Sequence, residues 1–410
     1  MKLESGKYSI QGLAIDGICK QFGTPLYLYD AGKITSQVDN LRKAFDGAEL
    51  KIKYAMKALT NISILKLLGK QGVGVDAVSI NEAKLAIRAG IQAADINFTP
   101  SGVDFSEIKE GVALGLNVNL DNLPILEKFG KEYGSKYPCG IRLNPHIMAG
   151  GNIKISTGHV NSKFGISIQQ LDQIKAIITK YNIVLQGLHI HTGSEIIETD
   201  VFMQMSDIFF GMAKDFKGLK FIDFGGGFKV AYKKDDKITD LPAIGSRLSE
   251  KFKAFEKETG RHLQLWIEPG KYLVSEAGYL VATTNVVKET PTLTFAGVDT
   301  GLNHLVRPMM YNSYHEIVNI SNPGGPVKTY TIVGNICETD TLGSDRELNE
   351  VREGDLLVLK NAGAYGYSMA SNYNSRFRPA EVLVIDGKAL LIRERDTLED
   401  ILRGQKDVID

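Results

Sequence analysis

Short apolar runs alternate with longer amphipathic stretches through the first two-thirds of this 410-residue chain. The runs predict strands over 52–56, 74–78, 95–99, 117–120, 140–143, 184–190, 219–224 and 263–268. Between them, apolar positions three and four apart predict helices, among them 80–89, 106–114, 168–180 and 241–258. A helix over 31–45 rests on Ile34, Val38, Leu41 and Phe45, and residues 25–30 alternate as a strand before it. Eight strand–helix alternations without a sequence repeat predict a (β/α)8 barrel of the TIM type. An open doubly wound sheet is the competing arrangement.

After residue 278 the pattern changes. Apolar runs over 284–287, 292–298, 329–333, 356–359, 381–385 and 390–393 are joined by Gly, Asn and Asp turns, and a helical pattern returns only over 400–405. That texture predicts an antiparallel β domain following the barrel. The expected division is a barrel over 31–278 and a β-rich domain from 1–30 and 279–410.

Composition narrows the partners. Lys+Arg and Asp+Glu balance at 48 each, so no net field draws the chain to nucleic acid or an anionic membrane. Residues 1–11 hold no apolar core long enough for a signal peptide, and no apolar run reaches membrane-spanning length. Cys19, Cys139 and Cys337 lie far apart and fit neither a disulfide framework nor a zinc cluster. The expectation is a reduced, cytoplasmic protein.

Candidate chemistry clusters where predicted strands end. Lys57 follows the first strand, and Thr60-Asn61 is a helix-start signal just beyond it. Parallel α/β folds place their chemistry at such strand ends, although a lysine there is also an ordinary solvated charge. His189 and His191 alternate by two and so share one face of their strand. With no Cys, Asp or Glu beside them in sequence, no metal is expected. Gly225, Gly226 and Gly227 follow the seventh strand, and such a run lets backbone N–H groups close on a phosphate. Glu268-Pro269-Gly270-Lys271 ends the eighth, placing a carboxylate where it could keep a pyridine nitrogen protonated.

Taken together these motifs resemble the fold-type III pyridoxal-phosphate decarboxylases, whose architecture is that of alanine racemase. The matching stretches run in the family's order from Tyr54–Lys57 through Val75-Asp76-Ala77-Val78-Ser79, Ser162-Lys163-Phe164-Gly165, His189–Ser194, Asp223–Gly227 and Glu268–Lys271. They continue with 301–308, Tyr311, Cys337-Glu338, Ala362-Gly363-Ala364-Tyr365 and Tyr373-Asn374-Ser375. The resemblance implies pyridoxal 5'-phosphate carried on Lys57, with His191 stacked on its ring and Glu268 facing its nitrogen. It implies that Ser194, Gly225, Gly226, Gly227, Gly270 and Tyr365 hold the phosphate. Lys271, Arg307 and Tyr311 would clamp a distal carboxylate of the substrate, with Tyr365 also lining that site. Cys337 and Glu338 would come from the second subunit of a homodimer, Cys337 returning a proton and Glu338 binding a distal ammonium. The substrate so implied is meso-2,6-diaminopimelate, giving L-lysine and CO2.

Bland readings stand beside these. Cys337 could be a buried structural thiol, Arg307 a surface ion pair, and Tyr365 a core residue. Two departures from the family pattern bear on the clamp. Position 271 is lysine where the family has arginine, which replaces a two-pronged fork with a point charge. The segment Cys337-Glu338-Thr339-Asp340-Thr341 is one residue shorter than the common pattern, leaving Asp340 without a role. Rival activities on this fold are decarboxylation of ornithine, arginine or carboxynorspermidine, and racemisation. A non-catalytic regulatory homologue that binds the cofactor is the alternative of a different class.

Overall fold

In the computed structural model the eight apolar runs close into a parallel barrel; residues 1–146, 162–191, 193 and 195–409 are described. The strands are Leu50–Ala55, Gly74–Ala77, Ile96–Phe98, Asn117–Leu120, Cys139–Asn144, Leu185–Ile190, Phe221–Asp223 and Gln264–Ile267. Each pairs in parallel with its neighbours, and Ile267 opposite Ile52 closes the eighth strand onto the first. A two-residue strand, Ile166–Ser167, adds alongside the fifth. Closure explains the sequence texture, because strands covered on both faces read as continuous apolar runs. It also makes polar residues inside a strand informative, since they project into an enclosed lumen.

Helices start close behind the strands and fix where those strands end. Asn61 caps the helix Ile62–Gly69 by accepting from Ser63 N at 2.9 Å. Ser79 caps Ile80–Arg88, while Glu82 reaches back to accept from Val78 N at 2.8 Å. The long helix Leu241–Thr259 is capped by Asp240.

By internal packing the chain divides into a barrel unit of 36–230 and 237–273 and a β-rich unit of 1–35, 231–236 and 274–410. The short segment 231–236, which the sequence pattern leaves inside the barrel, joins the β-rich unit through its bonds. The Tyr232 hydroxyl lies 2.9 Å from Ser275 Oγ, and Asn361 Nδ2 donates to Ala231 O.

The sheet of the β-rich unit is mixed rather than purely antiparallel. Strand Leu26–Asp30 runs parallel to Ala380–Ile385, and Thr294–Val298 runs parallel to Val327–Val333. Its other pairings are antiparallel, including the long strand Gly278–Glu289 against Leu26–Asp30 and Leu356–Leu359. A strand over Thr341–Asn349 occupies a stretch too polar to read as one; its apolar positions are few because most of it is exposed or half-buried. The core here is aliphatic, built on Leu26, Leu28, Val281, Val358, Val382 and Val384.

Candidate active site

Lys57 sits in a single turn of 3-10 helix, Met56–Ala58, immediately after the first barrel strand. Met56 and Ala58 are buried while Lys57 is exposed, so the turn anchors itself by its apolar flanks and offers the lysine. The turn is pinned by Leu59 N and Thr60 Oγ1, which both donate to Met56 O. The Lys57 charge is close enough to oppose protonation of both His189 and His191.

The lumen holds a buried polar cluster, five residues from strands and one from just past the eighth: Asp76, Asn97, Arg142, His189, Asp223 and Glu268. Glu268 Oε1 accepts from Asn97 Nδ2 at 2.8 Å, and Glu268 Oε2 lies 3.0 Å from His189 Nε2. Burial, reinforced by the charge of Glu268, pushes the carboxyls of Asp76 and Asp223 well above the usual range. Burial also opposes ionisation of Glu268, but the His189 imidazole and a hydrogen bond from Asp223 outweigh it and hold its pKa low. Negative charge therefore concentrates on Glu268. Burial lowers the pKa of His191, leaving a neutral imidazole at neutral pH.

His189, Asp223 and Glu268 place ligand atoms within 4.8 Å of one another. The fold thus brings to His189 carboxylates that its sequence neighbours lack. These groups are engaged with the protein: Asp223 Oδ1 accepts from Gly225 N at 2.8 Å, and Glu268 is held by Asn97 and His189.

The glycine run is a close-approach device. A Cβ on Gly226 would lie 2.3 Å from Glu268 O, and one on Gly227 would lie 2.5 Å from Gly193 O. Gly225 and Gly227 also have φ of +66° and +105°. The loop is clipped to the end of the eighth strand by Glu268 N donating to Gly225 O, and Gly226 N donates to His191 Nδ1 at 3.2 Å. An exposed lysine, a neutral imidazole, an ionised buried carboxylate and a side-chain-free loop fit a phosphorylated pyridine aldehyde. Gly270 packs closely too, its Cβ position 3.2 Å from Ala55 Cβ. Ser194 lies outside the described residues. Lys271 forms an ion pair with Glu195 at 3.0 Å and is largely buried.

In the β-rich unit, Arg307 opens the short helix Arg307–Tyr311 and is 4% exposed. It is not a surface ion pair: among the described residues no carboxylate lies within ion-pair reach of it. The rings of Tyr232, Tyr311 and Tyr365 surround its guanidinium at 5.5, 6.0 and 6.0 Å. Tyr365 is half-buried and holds φ of +55°, an uncommon backbone state for an aromatic residue.

Cys337 and Glu338 lie exposed on a turn, so Cys337 is not a buried structural thiol. Asp340 is the clip that makes this turn. Its carboxylate accepts from Leu302 N at 2.6 Å and Ile336 N at 3.2 Å, and its carbonyl accepts from Gly334 N at 2.8 Å. Asp340 thereby ties the 301–302 turn to the Cys337 segment, a role the shortened motif left open.

Sequence motifs assigned no role to Tyr373 and Asn374, yet both meet the thiol. Asn374 Nδ2 donates to Cys337 Sγ at 3.1 Å, and the Tyr373 hydroxyl lies 3.4 Å from Sγ and 2.9 Å from Glu338 Oε1. The Tyr373 and Asn374 hydrogen bonds lower the Cys337 pKa, against the opposing charge of Glu338. Alkylation by iodoacetamide should accordingly reach half its maximal rate below the ~8.5 of a free thiol. Tyr373→Phe should move that midpoint upward, and an unmoved midpoint would count against the hydroxyl's part in it.

The family profile described as "Pyridoxal-dependent decarboxylase, pyridoxal binding domain" matches residues 31–275. The diaminopimelate decarboxylase of Methanothermobacter thermautotrophicus is 36% identical over 413 residues, covering 98% of this chain and 96% of that protein. Among solved structures, diaminopimelate decarboxylase from M. jannaschii in complex with L-lysine superposes with a TM-score of 0.90 at 30% identity, covering 100% and 98% of the two chains. The Helicobacter pylori enzyme complexed with L-lysine gives 0.87 at 32% identity, covering 95% and 98%. With its barrel cluster and this full-length likeness, the chain belongs to the pyridoxal-dependent decarboxylases, in the diaminopimelate decarboxylase family.

Proposed function

We propose that this chain removes CO2 from the D-centre of meso-2,6-diaminopimelate to give L-lysine. The observation that carries the substrate is Arg307, a buried guanidinium with no carboxylate partner among the described residues. A tail carrying only an ammonium, as in ornithine or arginine, leaves such a cation uncompensated.

Pyridoxal 5'-phosphate, when bound, supplies the electron sink for the carbon that loses CO2. Lys57 holds it, Glu268 keeps a negative charge for its ring nitrogen, and His191 offers a neutral face. The loop 225–227, with Ser194, Gly270 and Tyr365, holds the phosphate. Arg307, Tyr311 and Lys271 grip the distal carboxylate, and Tyr365 lines the same site. Glu338 takes the distal ammonium, and Cys337 holds at Sγ the proton that replaces the departing CO2. We place the functional boundary at 31–278 for the cofactor domain and at 1–30 with 279–410 for the β-rich domain, which the family match over 31–275 supports.

The unit of function we propose is a homodimer in which Cys337 and Glu338 serve the partner's site, without nucleic acid or membrane partners. Among the described residues no helix is long and apolar enough to cross a membrane. Free cysteines suit a reducing cytoplasm. Mixing inactive Lys57→Ala subunits with inactive Cys337→Ala subunits should restore activity, since each heterodimer then has one intact site. If subunit exchange is confirmed and no activity returns, the two residues act within one subunit. Release of CO2 from meso-diaminopimelate, set against lysine, ornithine and arginine at equal concentration, tests the substrate.

A further inference from the structure

Among the described residues Arg307 has one nitrogen held and another without an acceptor. Its Nη2 donates to the Tyr232 hydroxyl at 3.3 Å and to Ser313 Oγ at 3.2 Å. Its Nε is buried and has no hydrogen-bond partner among the described residues. A buried donor without an acceptor is costly, so this N–H marks the direction from which an acceptor is supplied.

Tyr232 is itself held on two sides. Its hydroxyl lies 2.9 Å from Ser275 Oγ, and Ser275 Oγ in turn donates to Asn361 O at 3.3 Å. Its ring meets His315 edge-on, with centroids 5.7 Å apart. His315 is fixed by Lys360 O at 2.8 Å, and burial drops its pKa to about 3, so it brings no charge to the guanidinium. Tyr232 belongs to the segment 231–236, which packs with the β-rich unit. That placement puts a rigid, neutral acceptor against the cation without cancelling its charge. A carboxylate in the same place would pair with Arg307 and compete with any incoming anion.

We propose that Tyr232, assisted by Ser313, is a positioning residue that holds the Arg307 guanidinium by its Nη2 and so leaves the Nε–H for the ligand carboxylate. This rests on the reading of Arg307 as the carboxylate anchor, and the test separates the two. The probes are L-lysine, which keeps the distal carboxylate after decarboxylation, and pentane-1,5-diamine, the same chain without one. Both are titrated into the cofactor-loaded enzyme and its Tyr232→Phe, Ser313→Ala and Arg307→Gln variants, alongside KM and kcat for meso-diaminopimelate.

Removing one hydrogen bond to a charged group should weaken L-lysine roughly tenfold in Tyr232→Phe and raise KM to match. The diamine should bind these variants as it binds the parent, because it never meets the fork. Ser313→Ala, a smaller change at the other acceptor, should show the same selectivity for the carboxylate ligand. Equal weakening of both ligands would mean a general structural role and would overturn the proposal. If Arg307→Gln discriminates between the ligands while Tyr232→Phe and Ser313→Ala do not, the anchor stands and the positioning role fails. If Arg307→Gln leaves L-lysine affinity unchanged, the anchor fails and the proposal with it.

Discussion

Lys57→Ala should reduce decarboxylation by roughly 10³-fold or more, the scale of loss when a covalent group at the reacting centre is removed. The variant should also lose the visible absorbance of a lysine-bound cofactor. Borohydride reduction of the parent enzyme followed by peptide mapping should place the label on Lys57. The competitor is Lys53, whose pKa burial lowers to about 8, making it the more readily deprotonated amine by that criterion alone. Geometry decides against it. Lys53 pairs across from Gly74, the first residue of the second strand, and its ammonium lies 3.6 Å from Asp95 Oδ1 and 4.3 Å from the Trp266 ring. It is therefore at the amino-terminal end of the barrel strands. Lys57 stands at the carboxyl-terminal end, where the loop 225–227 and Glu268 also lie. Label on Lys53 or Lys163 would overturn the assignment.

The difference between those two lysines shows what the sequence could convey. Element type was legible because a closed parallel barrel makes each strand a buried apolar run with a helix behind it. The end of the first strand was legible because Asn61 is a helix cap. Individual motifs marked Lys57, the glycine run and Glu268. The polar lumen was harder to read: Asn97 and Arg142 are single polar residues inside apolar strands, and only closure brings them to Glu268. That alternation was a usable signal. Tyr232, Ser313 and Asp340 carried no comparable one. Their roles depend on pairings between positions 75, 6 and 38 residues apart, which local periodicity does not encode. The parallel pairings of the second sheet escaped for the same reason, since strand order across long connections is set by packing rather than by any one segment.

The substrate should be chosen by the carboxylate at its far end, with discrimination of about 10⁴-fold or more against tails that lack it. As a substrate, lysine, ornithine or arginine presents only a cationic tail to the clamp. Each charge-assisted hydrogen bond to that carboxylate is worth about 1.5–3 kcal/mol, and an uncompensated buried guanidinium adds a further penalty when the carboxylate is missing. The two cations of the proposed clamp are not equivalent. Lys271 is already paired with Glu195 at 3.0 Å, so part of its field is spent within the protein. Arg307 has neither an ion-pair partner nor an acceptor on Nε among the described residues. Arg307→Ala should therefore lose far more kcat/KM than Lys271→Ala, and Lys271→Arg should preserve activity because charge is kept and the longer fork can still reach Glu195. The measurement is CO2 release from the four amino acids by the parent and the three variants. Comparable turnover of lysine or ornithine by the parent would end the diaminopimelate assignment while leaving the decarboxylase class intact. Equal losses in Arg307→Ala and Lys271→Ala would show instead that the ion pair with Glu195 opens on binding and that both cations reach the ligand.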